Sequence, residues 1–145
     1  MKIEITKRVD LNEIIKNINW EGTYILVKVF SMNEIKEVGK ETTGIENKIK
    51  KLEKELKKHE KINEENYNEQ TEQYIEELQK QIDELSENRL NMLTGWVKER
   101  FVSGIAFDSE TQSKQELKVE DLDQFPSEVI TKIIQIISGT GEKKS

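Results

Sequence analysis

Two narrow apolar stripes in the middle of the chain limit what it can fold into. Ile45, Ile49, Leu52, Leu56 and His59 are spaced 4, 3, 4, 3, and Ile75, Leu78, Ile82 and Leu85 are spaced 3, 4, 3. Both match the a/d seam of a coiled coil. The stripes are out of register, because continuing the first one puts Asn63, Asn66, Gln70 and Gln73 on the seam. A turn at Asn66-Tyr67-Asn68 removes the conflict. Folding the chain about Tyr67 pairs residues whose numbers add to 134, which brings Leu56 to Leu78, Leu52 to Ile82, Ile49 to Leu85 and His59 to Ile75. Charge points the same way: residues 48–61 hold seven lysines and three glutamates, while residues 64–87 hold nine acids and one lysine. A basic helix lying antiparallel on an acidic one is therefore expected over 45–88, a projecting coiled-coil hairpin with its seam at Ile45, Ile49, Leu52, Leu56, Ile75, Leu78, Ile82 and Leu85.

A one-stripe hairpin buries little, so the core must come from the flanking segments. The whole chain has 145 residues, 34% hydrophobic and 36% charged, which leaves material for one small core. Residues 2–8 alternate apolar and polar, and Thr23 to Phe30 is rich in β-branched and aromatic types, so two paired strands are expected. Between them Asp10 and Glu13 form a capping-box pattern ahead of Leu11, Ile14, Ile15 and Ile18, with Trp20 and Gly22 turning the chain into the second strand. Ser31 and Glu34 repeat the start signal for a helix through Met32, Ile35 and Val38, ended at Gly39. After the hairpin, Leu90, Met92, Leu93, Trp96, Val97 and Phe101 widen the apolar face of the second long helix, which Gly104 is expected to stop. Asp108 to Gln115 reads as a polar loop, and Glu120-Asp121-Leu122 as one helical turn. Pro126 opens a last helix with Val129, Ile130, Ile133, Ile134 and Ile137 on its face, stopped at Gly139. The expected fold is α+β and mostly α: a small two-stranded sheet with packed helices, built from 1–40 and 90–138, plus the hairpin and a disordered tail over 139–145.

Site chemistry is sparse in this sequence. With no cysteine, thiolate catalysis and sulfur-ligated zinc are excluded. The one histidine, His59, sits on the seam among lysines without a second histidine, so it reads as a packing residue. Asp108, Glu110 and Gln112 imitate the start of a calcium loop, yet the glycine of its sixth position is missing and its twelfth would be Val119. Asp121 and Asp123 diverge on a helix and make no acid/base pair. Ser103 lacks both the elbow glycines and a base. No enzyme, cofactor or metal is expected. A formal charge of −6 and a pI of about 5.1 speak against nucleic acid as a partner. The longest apolar run, Tyr24 to Phe30, is broken by Lys28, far short of the roughly 20 residues a bilayer needs. The charged N-terminal residues do not read as a signal peptide, so a cytoplasmic location is expected.

The C-terminal third carries a resemblance. Trp96-Val97-Lys98-Glu99-Arg100-Phe101-Val102-Ser103-Gly104-Ile105-Ala106-Phe107-Asp108, a polar loop, then Leu117-Lys118-Val119-Glu120-Asp121-Leu122-Asp123-Gln124-Phe125-Pro126-Ser127-Glu128-Val129-Ile130 resembles the small tail assembly chaperones of long-tailed bacteriophages. There an amphipathic helix ends at a Phe-x-x-Gly step, and an acidic Glu-Asp-Leu turn precedes a Phe-Pro-x-x-Val helix. The start, Ile3 to Leu11 with Trp20 before a strand, is similar too, so the resemblance spans about 1–40 and 90–138. The hairpin looks like an insertion between the matching parts. The resemblance implies a non-enzymatic factor in the cytoplasm of an infected or lysogenic bacterial host, one that keeps apolar helical segments of the tape-measure protein soluble during tail assembly. Trp96, Phe101 and Phe107 are the partner-contact candidates, weighed against their being core. The alternative is a coiled-coil adaptor, or another phage structural protein, whose hairpin docks a partner helix or joins a second copy of the chain.

Overall fold

A computed structural model describes residues 5–15 and 20–139. The elements run β1 (Thr6–Asp10), α1 (Leu11–Ile14), β2 (Tyr24–Lys28), α2 (Met32–Glu65), α3 (Glu69–Arg100), β3 (Phe101–Asp108), β4 (Ser113–Leu117), a 3-10 turn (Val119–Gln124) and α4 (Ser127–Ser138). The class is α+β and mostly helical, but the sheet has four antiparallel strands in the order β1-β2-β3-β4 where two were expected. The chain divides into two compact units: Met1–Ile35 with Met92–Ser145, and Lys36–Asn91.

In the first unit, antiparallel pairing puts Val9, Ile25, Val27 and Gly104 on one face of the sheet. That face supplies one side of the core. Ile25 and Val27 are fully buried, as are Val97 of α3 and Val129, Ile130, Ile133 and Ile137 of α4, while Leu11, Leu93 and Leu122 close the margins. α4 packs on β1 and α1, and the N–H of Phe30 donates to Ile137 O at 3.0 Å, which ties the exit of β2 to the end of α4. The α4 face read from the sequence is thus a single buried stripe, and Gly139, at φ +78°, ends the helix as a left-handed cap.

The two extra strands come from segments read as helix end and loop. α3 stops at Arg100, and the stretch that follows is a strand. Gly104 is not a helix stop. A Cβ built there would lie 3.0 Å from Ile25 Cγ2, 3.1 Å from Leu117 Cβ and 3.1 Å from Tyr24 O, so the glycine lets β3 approach both neighbouring strands. β4 occupies the second half of the expected loop. Gln112, at φ +56°, completes a turn that leads back into Ser113–Leu117.

Other boundaries also moved. α2 runs through Gly39 without a break, because a glycine ends a helix only when it takes a left-handed φ, and among the described residues Gly22 and Gly139 are the glycines that do. Its start uses the expected capping box: Ser31 Oγ accepts the Glu34 N–H at 3.2 Å and Glu34 Oε1 accepts the Ser31 N–H at 2.9 Å. The box expected at Asp10 does not form, since Asp10 makes no side-chain cap and is held by Arg8 instead, at 2.9 Å. α1 is accordingly only Leu11–Ile14. Ile3, Ile18 and the tail beyond Gly139 lie outside the described residues.

The second unit is an antiparallel pair of helices turning at Asn66–Asn68. Asn68 caps α3, its Oδ1 accepting the Gln70 N–H at 2.8 Å, and its own N–H donates to Asn63 Oδ1 at 2.9 Å. Cross-helix contacts fix the pairing: Asn63 Nδ2 donates to Glu72 at 2.7 Å, the rings of His59 and Tyr74 meet edge to face at 4.7 Å, and Arg89 pairs with Glu46 at 3.0 Å. Each of these pairs adds to within one of 134.

Candidate binding surfaces

The face of the sheet opposite the core is built by the same alternation. Tyr24 stands opposite Ile105, Leu26 opposite Ser103 and Phe107 opposite Lys114. Tyr24, Leu26, Ile105 and Phe107 are each half-buried, so an apolar strip shows on this side. The guanidinium of Arg8 lies over the Tyr24 ring, 3.8 Å from its centroid. The turn before β2 shapes one end of the strip. Gly22 takes φ +84°, and a Cβ there would meet the Phe107 ring at 3.1 Å, so the position needs glycine for both its backbone and its neighbour. The N–H of Phe107 donates to Thr23 Oγ1 at 3.0 Å, which holds the ring beside that turn.

Arg8, Gly22, Tyr24, Ile105, Phe107 and Lys114 enclose an open depression of about 490 Å³. Two aromatic rings and an isoleucine form its floor, and an Arg and a Lys stand at its edge. This lining can cover an apolar side chain or a ring and hold an anionic group beside it.

Of the three partner-contact candidates, the structure brings only Phe107 to this surface. Trp96 packs edge to face on Phe30, with ring centroids 5.7 Å apart, and Arg100 lies 5.6 Å from the Phe30 ring and 5.8 Å from that of Trp96. Arg100 is also paired with Glu34, so Trp96 belongs to a cluster that joins the start of α2 to the end of α3 within the first unit. Phe101 is half-buried opposite Val27 at a bulge in the ladder. Arg8, Tyr24 and Leu26 lie on the two expected strands, and Ile105 joins them only through β3, so the strip as a whole was missed. The alternation Phe101, Ser103, Ile105, Phe107 was the available signal.

In the second unit, Leu78 and Ile82 are buried, while Ile45, Ile49, Leu52, Leu56, Ile75 and Leu85 are half-buried. His59 lies in the same seam against Tyr74, with its Nε2 3.4 Å from Glu55 Oε2. The three aspartates singled out in the sequence have structural partners. Asp108 Oδ1 accepts the Glu110 N–H at 3.0 Å in the β3–β4 turn, Asp121 Oδ2 accepts the Lys118 N–H at 2.7 Å, and Asp123 pairs with Lys98 at 2.8 Å. Among the described residues, no group of three or more His, Asp or Glu side chains could hold a metal ion, and no helix is long and apolar enough to cross a membrane.

Comparison with protein-family models, with curated proteins and with solved structures finds no match to this chain.

Proposed function

We propose that the protein is a non-enzymatic tail assembly chaperone of a long-tailed bacteriophage, working in the cytoplasm of the infected or lysogenic host. Its clients are apolar helical segments of the tape-measure protein. The observation that carries this reading is the apolar strip of Tyr24, Leu26, Ile105 and Phe107 on the open side of the sheet, edged by Arg8 and Lys114. A long amphipathic client aggregates through its apolar stripe, and a partner that covers the stripe keeps it soluble without any bond being made or broken. The resemblance over 96–130 supports the same role.

The test is co-expression with overlapping fragments of the tape-measure protein from the same genome. At least one fragment is expected to move into the soluble fraction with the wild-type chain and to return to the pellet with Phe107→Asp. If no fragment gains solubility, the reading fails. Gene order is a second check, since a tail-tube gene upstream and a very long tape-measure gene downstream are required.

A second reading, a coiled-coil adaptor, is favoured by the side chains at the hairpin end: Ile62 is 46% exposed and Tyr67 69%. It requires no tail genes nearby, and it places partner contact at those residues.

A further inference from the structure

Most charges of the hairpin point away from its seam. Ile49, Leu52, Leu56 and His59 face α3, and at about 3.6 residues per turn this places Lys50, Lys51, Lys54, Lys57, Lys58 and Lys61 within about 60° of the opposite direction. Lys40 lies on the same stripe. No acid between 40 and 61 shares it, because Glu46, Glu53 and Glu60 fall on one flank and Glu41 and Glu55 on the other. On α3, with Ile75, Leu78, Ile82 and Leu85 turned inward, the outward stripe holds Glu69, Glu76, Glu77, Asp83, Glu84 and Glu87, interrupted by Lys80. All of these charged side chains are exposed, and among the described residues none of them is in an ion pair. An interaxial distance of about 10 Å plus a helix radius of about 5 Å on each side sets the two stripes about 20 Å apart. With a Debye length of about 8 Å in physiological salt, neither stripe neutralises the other.

We infer that the basic stripe of one copy of this chain docks on the acidic stripe of a second copy, so that hairpins join side by side. The two stripes have opposite sign and similar length, each about 30 Å at about 1.5 Å per residue, so they match along their whole run. A nucleic-acid backbone laid on the lysines would match one stripe and leave the other without a counterpart. Because the stripes lie on opposite sides of one hairpin, the contact is heterologous: each copy offers one stripe to the neighbour before it and the other to the neighbour after it. Growth is therefore open-ended and does not close at a dimer. Exposed ion pairs are individually weak and are screened by salt, and no apolar side chain lies on either stripe, so the association is reversible and favoured by low ionic strength. The contact uses the second unit alone and does not depend on the chaperone reading.

The experiment is sedimentation of the full chain over a range of concentrations, in about 20 mM and about 500 mM salt. At low salt the weight-average mass is expected to climb past that of a dimer as concentration rises, and at high salt to stay at that of a monomer. Two neutralised variants identify the surfaces, with glutamine chosen because it keeps helix propensity. One carries Lys50→Gln, Lys51→Gln, Lys54→Gln, Lys57→Gln and Lys58→Gln; the other carries Glu76→Gln, Glu77→Gln, Glu84→Gln and Glu87→Gln. Each alone should associate about tenfold more weakly than wild type or less, with an unchanged helical circular dichroism spectrum as the control for folding. Mixed in equal amounts at low salt, the two should pair through the one intact stripe on each and stop at a one-to-one dimer. The inference is overturned if the wild-type chain stays monomeric at low salt, if its mass levels off at a dimer, if salt has no effect, or if the mixed variants do not pair. A monomeric wild-type chain that instead binds a single-stranded oligonucleotide would assign the lysines to a nucleic-acid backbone and would equally overturn it.

Discussion

In the unit formed by 1–35 and 92–145, Ile25, Val97, Ile130, Ile133 and Ile137 are at 0% exposure. In 36–91 most apolar seam residues remain half-buried, and only Val38, Leu78 and Ile82 count as buried hydrophobics among the described residues. Similar side chains thus reach different depths. A sheet face with helices against it encloses a side chain from every direction, whereas two helices enclose a seam from two sides and leave its margins to water. The first unit is accordingly specified by packing. The second is held by its half-buried seam together with polar contacts across the two helices, such as Asn63–Glu72 and Glu46–Arg89.

Substitutions can break this comparison. The largest effect is expected for Ile133→Ala, which empties a fully enclosed site and should cost about 2–5 kcal/mol. Urea unfolding followed by tryptophan fluorescence measures it, and both tryptophans, Trp20 and Trp96, lie in the first unit. Next comes Gly104→Ala, whose methyl would press on Ile25, Leu117 and the Tyr24 carbonyl; overpacking there should cost about 1–3 kcal/mol in the same assay. Leu52→Ala lies on the half-buried seam and should cost less than the enclosed isoleucine, about 1–2 kcal/mol, read by far-UV circular dichroism with the fluorescence transition unchanged. The smallest effect sharpens the comparison from the other side. Gly44 is helical with nothing within 4 Å of an added Cβ, so Gly44→Ala should stabilise the hairpin by about 0.5–1 kcal/mol through helix propensity alone.

The same contrast explains what could be read from the chain in advance. The hairpin was legible because its signals are local: spacing, a register break at Asn66–Asn68, and opposite charge on two successive segments. α4 was legible because Val129, Ile130, Ile133, Ile134 and Ile137 repeat at helical spacing between Pro126 and a glycine. β3 was hidden, since Leu93, Val97 and Phe101 continue a helical period straight into it and Gly104 looks like a stop. β4 reads Ser-Lys-Gln-Glu-Leu, with no apolar alternation, and is a strand because β3 pairs with it. The open sheet surface inherits that difficulty. Tyr24 and Phe107 are distant in sequence, and only a strand at 101–108 brings them to one face.

The central claim is that two differently built units make up this chain, and native-state hydrogen exchange of the full-length protein in low urea tests it most directly. Amides of β2 and of α4 from Ile130 to Ile137 are expected to exchange only through opening of the whole first unit, with a steep dependence on urea. Amides of 48–63 and 71–85 should exchange through a separate opening of lower free energy and shallower urea dependence. A single free energy and a single slope shared by both sets would contradict the account, because the hairpin and the sheet unit would then unfold as one body.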